Sequence, residues 1–280
     1  PPTIPADIYN AFLHPAVPLT IAILYATTVH YYNSKATGQP YWLSKTKAFK
    51  YGVLLHNLGL AVYSLWTFIG MTRILHGTII GPNLLSGGYS NFSSSSSHLT
   101  IDVSGTELVR PGLWNAGLGY YGWIFYLSKF YEVIDTMIII AKGKKSSSLQ
   151  TYHHAGAMVS MWAGIRWMAP PIWIFCWYNS GIHTLMYTYY TLSTLNIRVP
   201  NAIKRSLTTM QITQFLVGGS GAAIHLFIKY RASGEDGEYV RCLSHMGQEL
   251  AVVINCVYLT PLTFLFVRFF IRSYLSPGKS

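Results

Sequence analysis

The chain has 280 residues, of which 51% are hydrophobic, 15% are aromatic and only 10% are charged. An ordinary soluble domain carries about 25% charged residues, so this composition excludes a disordered chain and a soluble enzyme, and it favours a protein that crosses a membrane several times. The formal net charge of +11 does not indicate nucleic-acid binding, because the basic residues do not share a polar face. Three cysteines are too few for a disulfide framework. The first ten residues carry no basic region, so we expect no cleavable signal peptide.

Seven apolar segments are long enough to cross a bilayer core of about 30 Å, which takes about 20 residues of helix. We therefore predict an all-α membrane protein that forms a single domain over residues 1–280. The predicted spans cover residues 11–32, 53–75, 113–141, 152–168, 172–195, 207–228 and 250–271.

The placement of Lys and Arg predicts the orientation, since these residues collect in cytosolic loops. With a lumenal N-terminus and a cytosolic C-terminus, 13 of the 20 basic residues fall in cytosolic segments and six fall on the opposite side. Seven of the nine acidic residues also lie on that opposite side. A glycosylation sequon begins at Asn91 in the longest far-side loop, so we expect a glycan there to be lumenal.

Polar side chains gather in the cytosolic halves of four predicted spans. Ionisable groups are rare inside a bilayer and indicate function. Steps of three and four residues place Lys129, Glu132 and Asp135 along one face of the third span. The next three spans contribute Gln150, His153, His154, Asn179, His183, Tyr187, Tyr190, Gln211 and Gln214. We expect these groups to line a cavity that is open to a cytosolic substrate.

Each motif taken alone also has a simpler explanation. Lys129 and Glu132 can neutralise each other, and buried Gln side chains often join membrane helices by hydrogen bonds. The tyrosines near residue 190 are typical of packing or of an interfacial belt. The remaining seven histidines, among them His56, are scattered, and no function is expected of them.

The motifs match a known pattern when they are read in chain order. They are Lys129-x-x-Glu132-x-x-Asp135-Thr136, Gln150-x-x-His153-His154, Asn179-x-x-x-His183-x-x-Met186-Tyr187-x-Tyr189-Tyr190 and Thr208-x-x-Gln211-x-x-Gln214-Phe215. This series resembles the four signature motifs of the ELO family of very-long-chain fatty acid elongases. The resemblance implies an endoplasmic reticulum enzyme that condenses an acyl-CoA with malonyl-CoA and releases CO₂ and CoA. It also implies that spans two to seven form a ring of two inverted three-helix units around an acyl tunnel, with span one outside.

The resemblance also implies roles for individual residues. His153 would carry the acyl group as an acyl-imidazole, while His154 and His183 would orient groups or stabilise charge. Glu132 or Asp135 would fix imidazole tautomers, and Lys129 would balance the carboxylates or meet malonate. The contacts to substrate would come from Gln150, Asn179, Tyr187, Tyr190, Gln211, Gln214, Lys204 and Arg205.

The same resemblance defines the expected partners. The substrates are acyl-CoA and malonyl-CoA, and no cofactor or metal is expected. The bilayer and the other enzymes of the elongation cycle are the expected surroundings. The basic cytosolic residues Lys142, Lys144 and Lys145, together with Lys204 and Arg205, suit the phosphates of CoA, although the orientation rule alone also explains them.

The histidine box departs from the usual family pattern, because Gln150 stands where most members have a histidine. A subset of elongases from lower eukaryotes shares this glutamine and often handles polyunsaturated acyl chains. Glutamine donates and accepts hydrogen bonds but does not titrate. The first position of the box is therefore not required for covalent chemistry in this chain.

Two other classes of protein remain open at this point. A di-iron desaturase would need several histidine boxes, whereas this chain has one adjacent histidine pair plus His183. A seven-span receptor or transporter could use Lys129, Glu132 and Asp135 as a proton relay.

A face of small residues continues along the sixth span from Gln214 toward the lumen. Gly218, Gly221 and Ala222 recur there at steps of three and four residues. They are expected either to leave room for the acyl tail in a tunnel or to let helices pack closely.

Overall fold

The computed structural model describes residues 4–80, 98–101, 107–110, 112–231 and 239–275. The sequon at Asn91 lies outside these residues. Within them, nine α-helices follow one another: α1 Ala6–Phe12, α2 Ala16–Lys35, α3 Lys47–Leu75, α4 Gly119–Tyr131, α5 Val133–Ala141, α6 Ser148–Arg166, α7 Ile172–Thr194, α8 Asn201–Ile224 and α9 Met246–Phe270. Shorter helical turns occupy Trp42–Lys45, His76–Ile80, Trp114–Leu118 and Ile271–Leu275.

Two short antiparallel hairpins interrupt the helical pattern. Strand β1, His98–Ile101, pairs with β2, Glu107–Arg110, between α3 and α4. Strand β3, Lys229–Arg231, pairs with β4, Tyr239–Arg241, between α8 and α9. Both hairpins lie in loops that the charge pattern assigns to the far side.

Helices occupy all seven predicted spans, so the prediction of a helical protein is confirmed. By length and hydropathy, two helical stretches among the described residues can cross a membrane, Lys47–Thr78 and Met246–Leu275. The bent pair α1 and α2, which meet at 47°, makes a third if it counts as one span. The other predicted spans carry Lys, Glu, Asp, His and Gln side chains, which lower their hydropathy. Seven crossings therefore stay a prediction.

The third predicted span is broken at Glu132, between α4 and α5. The backbone tightens at this point, because the amide of Asp135 donates to the carbonyl of Glu132 over 3.1 Å, three residues back. The shared face of Lys129, Glu132 and Asp135 stays a prediction, although Lys129 and Glu132 do contact each other. Residues before and after the break contact different partners.

The larger helices pack in a cyclic order. Helix α3 lies against α7, α7 against α8, α8 against α9, α9 against α6, α6 against α4, and α4 against α3. Helix α2 stands apart from this cycle and packs against α5 and α6. Glycines permit the closest approaches, since a Cβ at Gly156 or Gly164 would collide with a side chain of the neighbouring helix.

Local contacts identify the two ends of the helical bundle. At one end, Asn33 of α2 exchanges two 2.9 Å hydrogen bonds with the backbone of Ser146. Gly143 turns the chain there with a φ of 74°, and a side chain at this position would meet the backbone of Gln39. At the other end, the Gln248 side-chain amide donates to the carbonyl of Met168 over 3.1 Å. The loop after α5 and the start of α9 therefore lie at opposite ends of α6.

Candidate active site

A buried ion pair forms the centre of the polar cluster. Lys129 and Glu132 are each only 2% exposed. The Lys129 ammonium donates to Oε1 of Glu132 over 2.7 Å and to Oδ1 of Asn179 over 3.1 Å. It also lies 3.9 Å from the centroid of the Phe125 ring. A buried charge is tolerated only when it is paired, and these contacts hold the lysine in one position.

Three buried polar atoms of the motif residues have no hydrogen-bond partner among the described residues. They are Oε2 of Glu132, Nδ2 of Asn179 and Oε1 of Gln214. Leaving a buried polar atom unpaired costs about 1–3 kcal/mol. A bound molecule that pairs with these atoms would recover that free energy, so the cluster has the properties of a binding site.

Asp135 faces a different set of residues. One carboxylate oxygen lies 2.8 Å from Nε2 of His56, and the other accepts a 2.6 Å hydrogen bond from the Tyr187 hydroxyl. Tyr187 in turn packs edge-on against His183, with 5.5 Å between ring centroids. Asp135 therefore acts on the histidine motifs through Tyr187, and among the described residues it makes no direct hydrogen bond to His153, His154 or His183.

The first long helix also reaches the cluster. The Tyr25 hydroxyl of α2 lies 2.8 Å from Oγ1 of Thr136, and both residues are buried. The Tyr25 ring meets His154 edge-on at 6.1 Å between centroids. Helix α2 therefore contributes one wall of the histidine site although it lies outside the cyclic order of the other helices.

The histidine box begins on the first turns of α6, which starts at a cap made by Ser147. The Ser147 hydroxyl accepts from the amide of Gln150 over 3.2 Å. The side-chain amide of Gln150 then lies 2.9 Å from Nε2 of His154, one helical turn further on. Gln150 thus supplies a hydrogen-bond partner for the neighbouring imidazole.

His153 occupies the position between the two other motif histidines. Its ring centroid is 5.2 Å from that of His154 and 6.5 Å from that of His183. Its Nδ1 lies 2.9 Å from the Tyr258 hydroxyl of α9. Among the described residues, none forms a hydrogen bond with its Nε2, so this nitrogen is free to contact a bound molecule.

His183 approaches the ion pair but does not bond it closely. Its Nδ1 is 3.9 Å from Oε1 of Glu132, which is beyond a hydrogen bond. Glu132 therefore makes no direct hydrogen bond that would fix the tautomer of this imidazole, contrary to the expectation. Across the described ranges, no three His, Cys, Asp or Glu side chains converge in the manner of metal ligands.

A narrow cavity lies between α6, α7, α8 and α9, and Gln214 belongs to its lining. Its polar lining includes Gln214 and Asn255, and the rest is mainly apolar. Gly218 and Ala222 line it, whereas Gly221 does not belong to its lining. The expected face of small residues is thus only partly directed at the cavity. The cavity continues to Ala169 and Pro171 near the far end of the bundle.

Comparison with known proteins decides the family. The sequence profile of the GNS1/SUR4 family, abbreviated ELO, matches residues 10–280. The chain belongs to this family.

Its relatives are named as elongases. Very long chain fatty acid elongase 3 of Homo sapiens is 28% identical over 264 residues, which make up 94% of this chain and 84% of that protein. Long chain fatty acid elongase 2 of Caenorhabditis elegans is 26% identical over 284 residues, or 98% of this chain and 90% of that protein. Long chain fatty acid elongase 1 of the same organism is 31% identical over 161 residues, covering 57% and 52% respectively. No solved structure matches the chain.

In this ELO protein, four of the predicted site residues lie apart from the histidines. Tyr190 contacts Tyr187 rather than an imidazole, at 5.9 Å between ring centroids. The Gln211 side chain donates to the sulfur of Met186 over 3.6 Å. Lys204 and Arg205 lie in the first turns of α8, where Arg205 stacks over the Phe270 ring at 5.7 Å.

The loop between α5 and α6 of the ELO chain is basic. Lys144 and Lys145 are exposed there, next to Lys142. Desolvation by the surrounding protein lowers the pKa of Lys142, and the neighbouring charge of Lys144 lowers it further. The loop therefore offers several cations close together, and an anion that binds among them would relieve their repulsion.

Three residues of the ELO site were missed by sequence reasoning: His56, Tyr258 and Tyr25. Each lies on a helix that carries none of the four motifs. A histidine inside a predicted span was a usable signal for His56, because ionisable side chains are rare at that depth. The sequence holds 21 tyrosines, so nothing singled out Tyr25 or Tyr258 before the helices were packed.

Proposed function

We propose that the protein is a 3-oxoacyl-CoA synthase, an acyltransferase that condenses a long-chain acyl-CoA with malonyl-CoA. The observation that carries this proposal is His153, which packs beside His154 and His183 and whose Nε2 makes no hydrogen bond to the described residues. The proposal is also supported by the relatives, which are named as fatty acid elongases. The substrates are two thioesters, and no cofactor takes part.

In the first step, Nε2 of His153 attacks the thioester carbonyl of the acyl-CoA. A carbon–nitrogen bond forms, the carbon–sulfur bond breaks, and the electron pair leaves with the CoA sulfur, which takes a proton from water. Imidazole is an established nucleophile for covalent catalysis. Cys176 is fully buried in an apolar environment, which disfavours the thiolate and makes it a poor alternative.

In the second step, malonyl-CoA loses CO₂, and the electron pair of the broken bond forms an enolate. The enolate carbon attacks the acyl-imidazole carbonyl, and the bond to His153 breaks to release the 3-oxoacyl-CoA. The free N–H of Asn179 is a suitable donor to a developing oxyanion, because it is buried and unpaired before substrate binds. Lys129 and Glu132 hold Asn179 in position, while His154 and His183 stabilise charge beside the reacting carbonyl.

The acyl tail would occupy the narrow cavity. Its walls are mainly apolar, and Gly218 and Ala222 leave space along α8. We propose a polyunsaturated chain as the substrate, on the basis of Gln150 in the histidine box. The cations of the cytosolic loops, including Lys204 and Arg205, would bind the phosphates of the two CoA groups.

The membrane arrangement belongs to the same proposal. Seven spans would place the N-terminus in the lumen of the endoplasmic reticulum and the C-terminus in the cytosol. Helices α3 to α9 would form a ring of two inverted three-helix units, which the cyclic order of their contacts supports. Association with the other enzymes of the elongation cycle would pass the 3-oxoacyl product onward.

The test uses purified full-length protein and malonyl-CoA labelled in its free carboxyl group. We expect release of labelled CO₂ that depends on added acyl-CoA and is abolished in His153→Ala. With acyl-CoA alone, the parent should release free CoA, and His153→Ala should release none while still inserting into membranes. Absence of malonyl-CoA-dependent CO₂ release in the parent would refute the synthase. Normal condensation by His153→Ala would refute the covalent route.

A further inference from the structure

The Tyr258 hydroxyl contacts His153 at two atoms. It lies 2.9 Å from Nδ1 of the imidazole and 3.1 Å from the backbone carbonyl oxygen of the same residue. Tyr258 is only 5% exposed, so water does not compete freely for these contacts. The two residues are 105 positions apart in the chain, on α6 and α9.

The number of hydrogens at this contact limits how it can be arranged. A carbonyl oxygen can only accept, and a phenol has one proton to donate. If Tyr258 gave its proton to the ring nitrogen, its oxygen would face the carbonyl at 3.1 Å without a hydrogen between them. Both contacts are hydrogen bonds only when Tyr258 donates to the carbonyl and Nδ1–H of His153 donates to the phenol oxygen.

We infer that Tyr258 is a positioning residue that holds His153 in the Nδ1–H tautomer. The second ring nitrogen, Nε2, then carries the lone pair and points away from Tyr258 as the nucleophile. This inference rests on the proposed function, since it specifies which nitrogen attacks the thioester. Which nitrogen of a histidine is protonated is commonly set by the hydrogen bond made by the other one.

The surroundings hold Tyr258 in place for this contact. Gly156, one turn after His153, has no side chain, and a Cβ there would collide with the Tyr258 ring. Tyr152 stacks on the same ring at 5.9 Å between centroids, and its hydroxyl donates to the Tyr258 carbonyl over 3.2 Å. The close approach of α6 and α9 thus brings the hydroxyl back onto the first turns of α6.

The hydrogen bond persists through the covalent step. When Nε2 bonds the acyl carbon and CoA leaves, the imidazole becomes a cation that still carries its proton on Nδ1. That proton remains directed at the phenol oxygen, which stabilises the positive charge. Attack by the enolate then returns the ring to the neutral Nδ1–H form, so no proton has to move within the contact.

The kinetic test compares Tyr258→Phe with the parent in single-turnover release of CoA from acyl-CoA alone. We expect the rate constant to fall by about 10–100-fold, by analogy with the loss of the hydrogen-bond partners that orient metal-ligating histidines, with the KM for acyl-CoA in full turnover unchanged. The matched control is Tyr126→Phe, because the buried Tyr126 hydroxyl also donates to a backbone carbonyl, that of Phe12 at 2.9 Å, and not to a residue of the histidine motifs. Tyr126→Phe should match the parent per folded molecule.

Nitrogen NMR of histidine-labelled parent protein tests the tautomer itself, even if Tyr258→Phe folds poorly. Signals that are missing from His153→Ala identify this residue, and we expect a protonated Nδ1 and an unprotonated Nε2. A protonated Nε2 in the parent would overturn the inference, as would CoA release by Tyr258→Phe at the parent rate. If the parent itself releases no CoA from acyl-CoA alone, the covalent route fails, and the NMR result still decides the tautomer.

Discussion

The carboxylate of Asp135 depends on side chains from two other helices. His56 lies on α3 and Tyr187 on α7, and each contacts one of its oxygens. The Asp135 side chain is 13% exposed and that of His56 is 5% exposed, so neither can turn to water without moving the helices. This cluster of three residues therefore joins α3, α5 and α7 at the level of the histidine site.

Replacing His56 with alanine should destabilise the protein by about 1.5–3 kcal/mol, the usual range for a hydrogen bond to a charged group. Asp135→Ala should destabilise the protein by a similar amount, because it removes the other partner of the His56–Asp135 contact. The double variant should cost at least about 1 kcal/mol less than the sum, since residues in direct contact are coupled. Unfolding free energies measured in mixed micelles would give these values.

Asn57→Ala provides the control for that cycle. Asn57 is the next residue on α3, and its side chain donates to Thr194 over 3.3 Å without touching Asp135. Its effect should add to that of Asp135→Ala. Additivity between His56→Ala and Asp135→Ala would contradict the contact.

Local sequence motifs predicted that Lys129, Glu132 and the motif histidines lie close together, but not which other residues contact them. Lys129 and Glu132 are three positions apart, so helical periodicity alone brings them together. His56, Tyr25 and Tyr258 reach the same site from helices that are distant in sequence, and only packing decides that contact. Isolated histidines and tyrosines in apolar segments carry no signal of their future partners.

Helix α8 has two faces that differ in their surroundings. Gly218 lines the cavity, and a Cβ there would make only an ordinary contact with Ile174, at 3.6 Å. Leu216, two positions earlier, is 58% exposed on the outside of the bundle. A larger side chain at Gly218 should therefore change the cavity, whereas one at Leu216 on the same helix should not.

Gly218→Phe should shorten the longest product by at least one two-carbon step while leaving turnover of short acyl-CoA substrates nearly unchanged. The added ring would fill the cavity between Gln214 and its far end, so only the deeper part is lost. Product chain lengths, measured by chromatography over a series of acyl-CoA substrates, would show the shift.

Leu216→Phe adds an aromatic ring to the exposed face of α8 and should leave the product lengths unchanged. Equal loss of activity on all chain lengths in Gly218→Phe, with low folding yield, would mean that this glycine serves helix packing instead. A product spectrum identical to that of the parent, with good folding, would mean that the cavity does not hold the acyl tail.

At the scale of helices, the sequence predicted the positions of the elements better than their internal breaks. The predicted segment 172–195 matches α7, Ile172–Thr194, because apolar length marks the helix and Pro171 precedes its start. The break at Glu132 was not predicted, since no Gly or Pro lies there. It lies where Lys129 and Asp135 contact different partners in the packed bundle.

The whole molecule has two chemically different ends. Lys144 is exposed in the loop before α6, while His245 is exposed just before α9, next to the opposite end of α6. The native cysteines provide little background for labelling. Cys176 and Cys242 are buried, Cys256 is partly buried, and burial raises the pKa of the Cys242 thiol to about 11.

Labelling with a membrane-impermeant maleimide should therefore distinguish the two ends. In sealed microsomes, whose outer face is cytosolic, Lys144→Cys should react directly. His245→Cys should react only after the membrane is permeabilised. The parent chain, treated in parallel, gives the background.

Labelling of His245→Cys in sealed microsomes, with Lys144→Cys reacting only after permeabilisation, would mean that the orientation is the reverse of the proposed one. Labelling of both variants in sealed microsomes would put both ends of α6 on one side, and α6 would then not cross the membrane.

The distance along the chain between His153 and Tyr258 has a consequence for biosynthesis. A ribosome delivers the chain from its N-terminus, so the histidine box leaves it long before the last helix does. Until α9 has entered the membrane, the imidazole lacks the hydroxyl that orients it, and the cavity lacks one wall. Truncated or unfinished chains should thus carry the motif without the reactivity that we propose for His153.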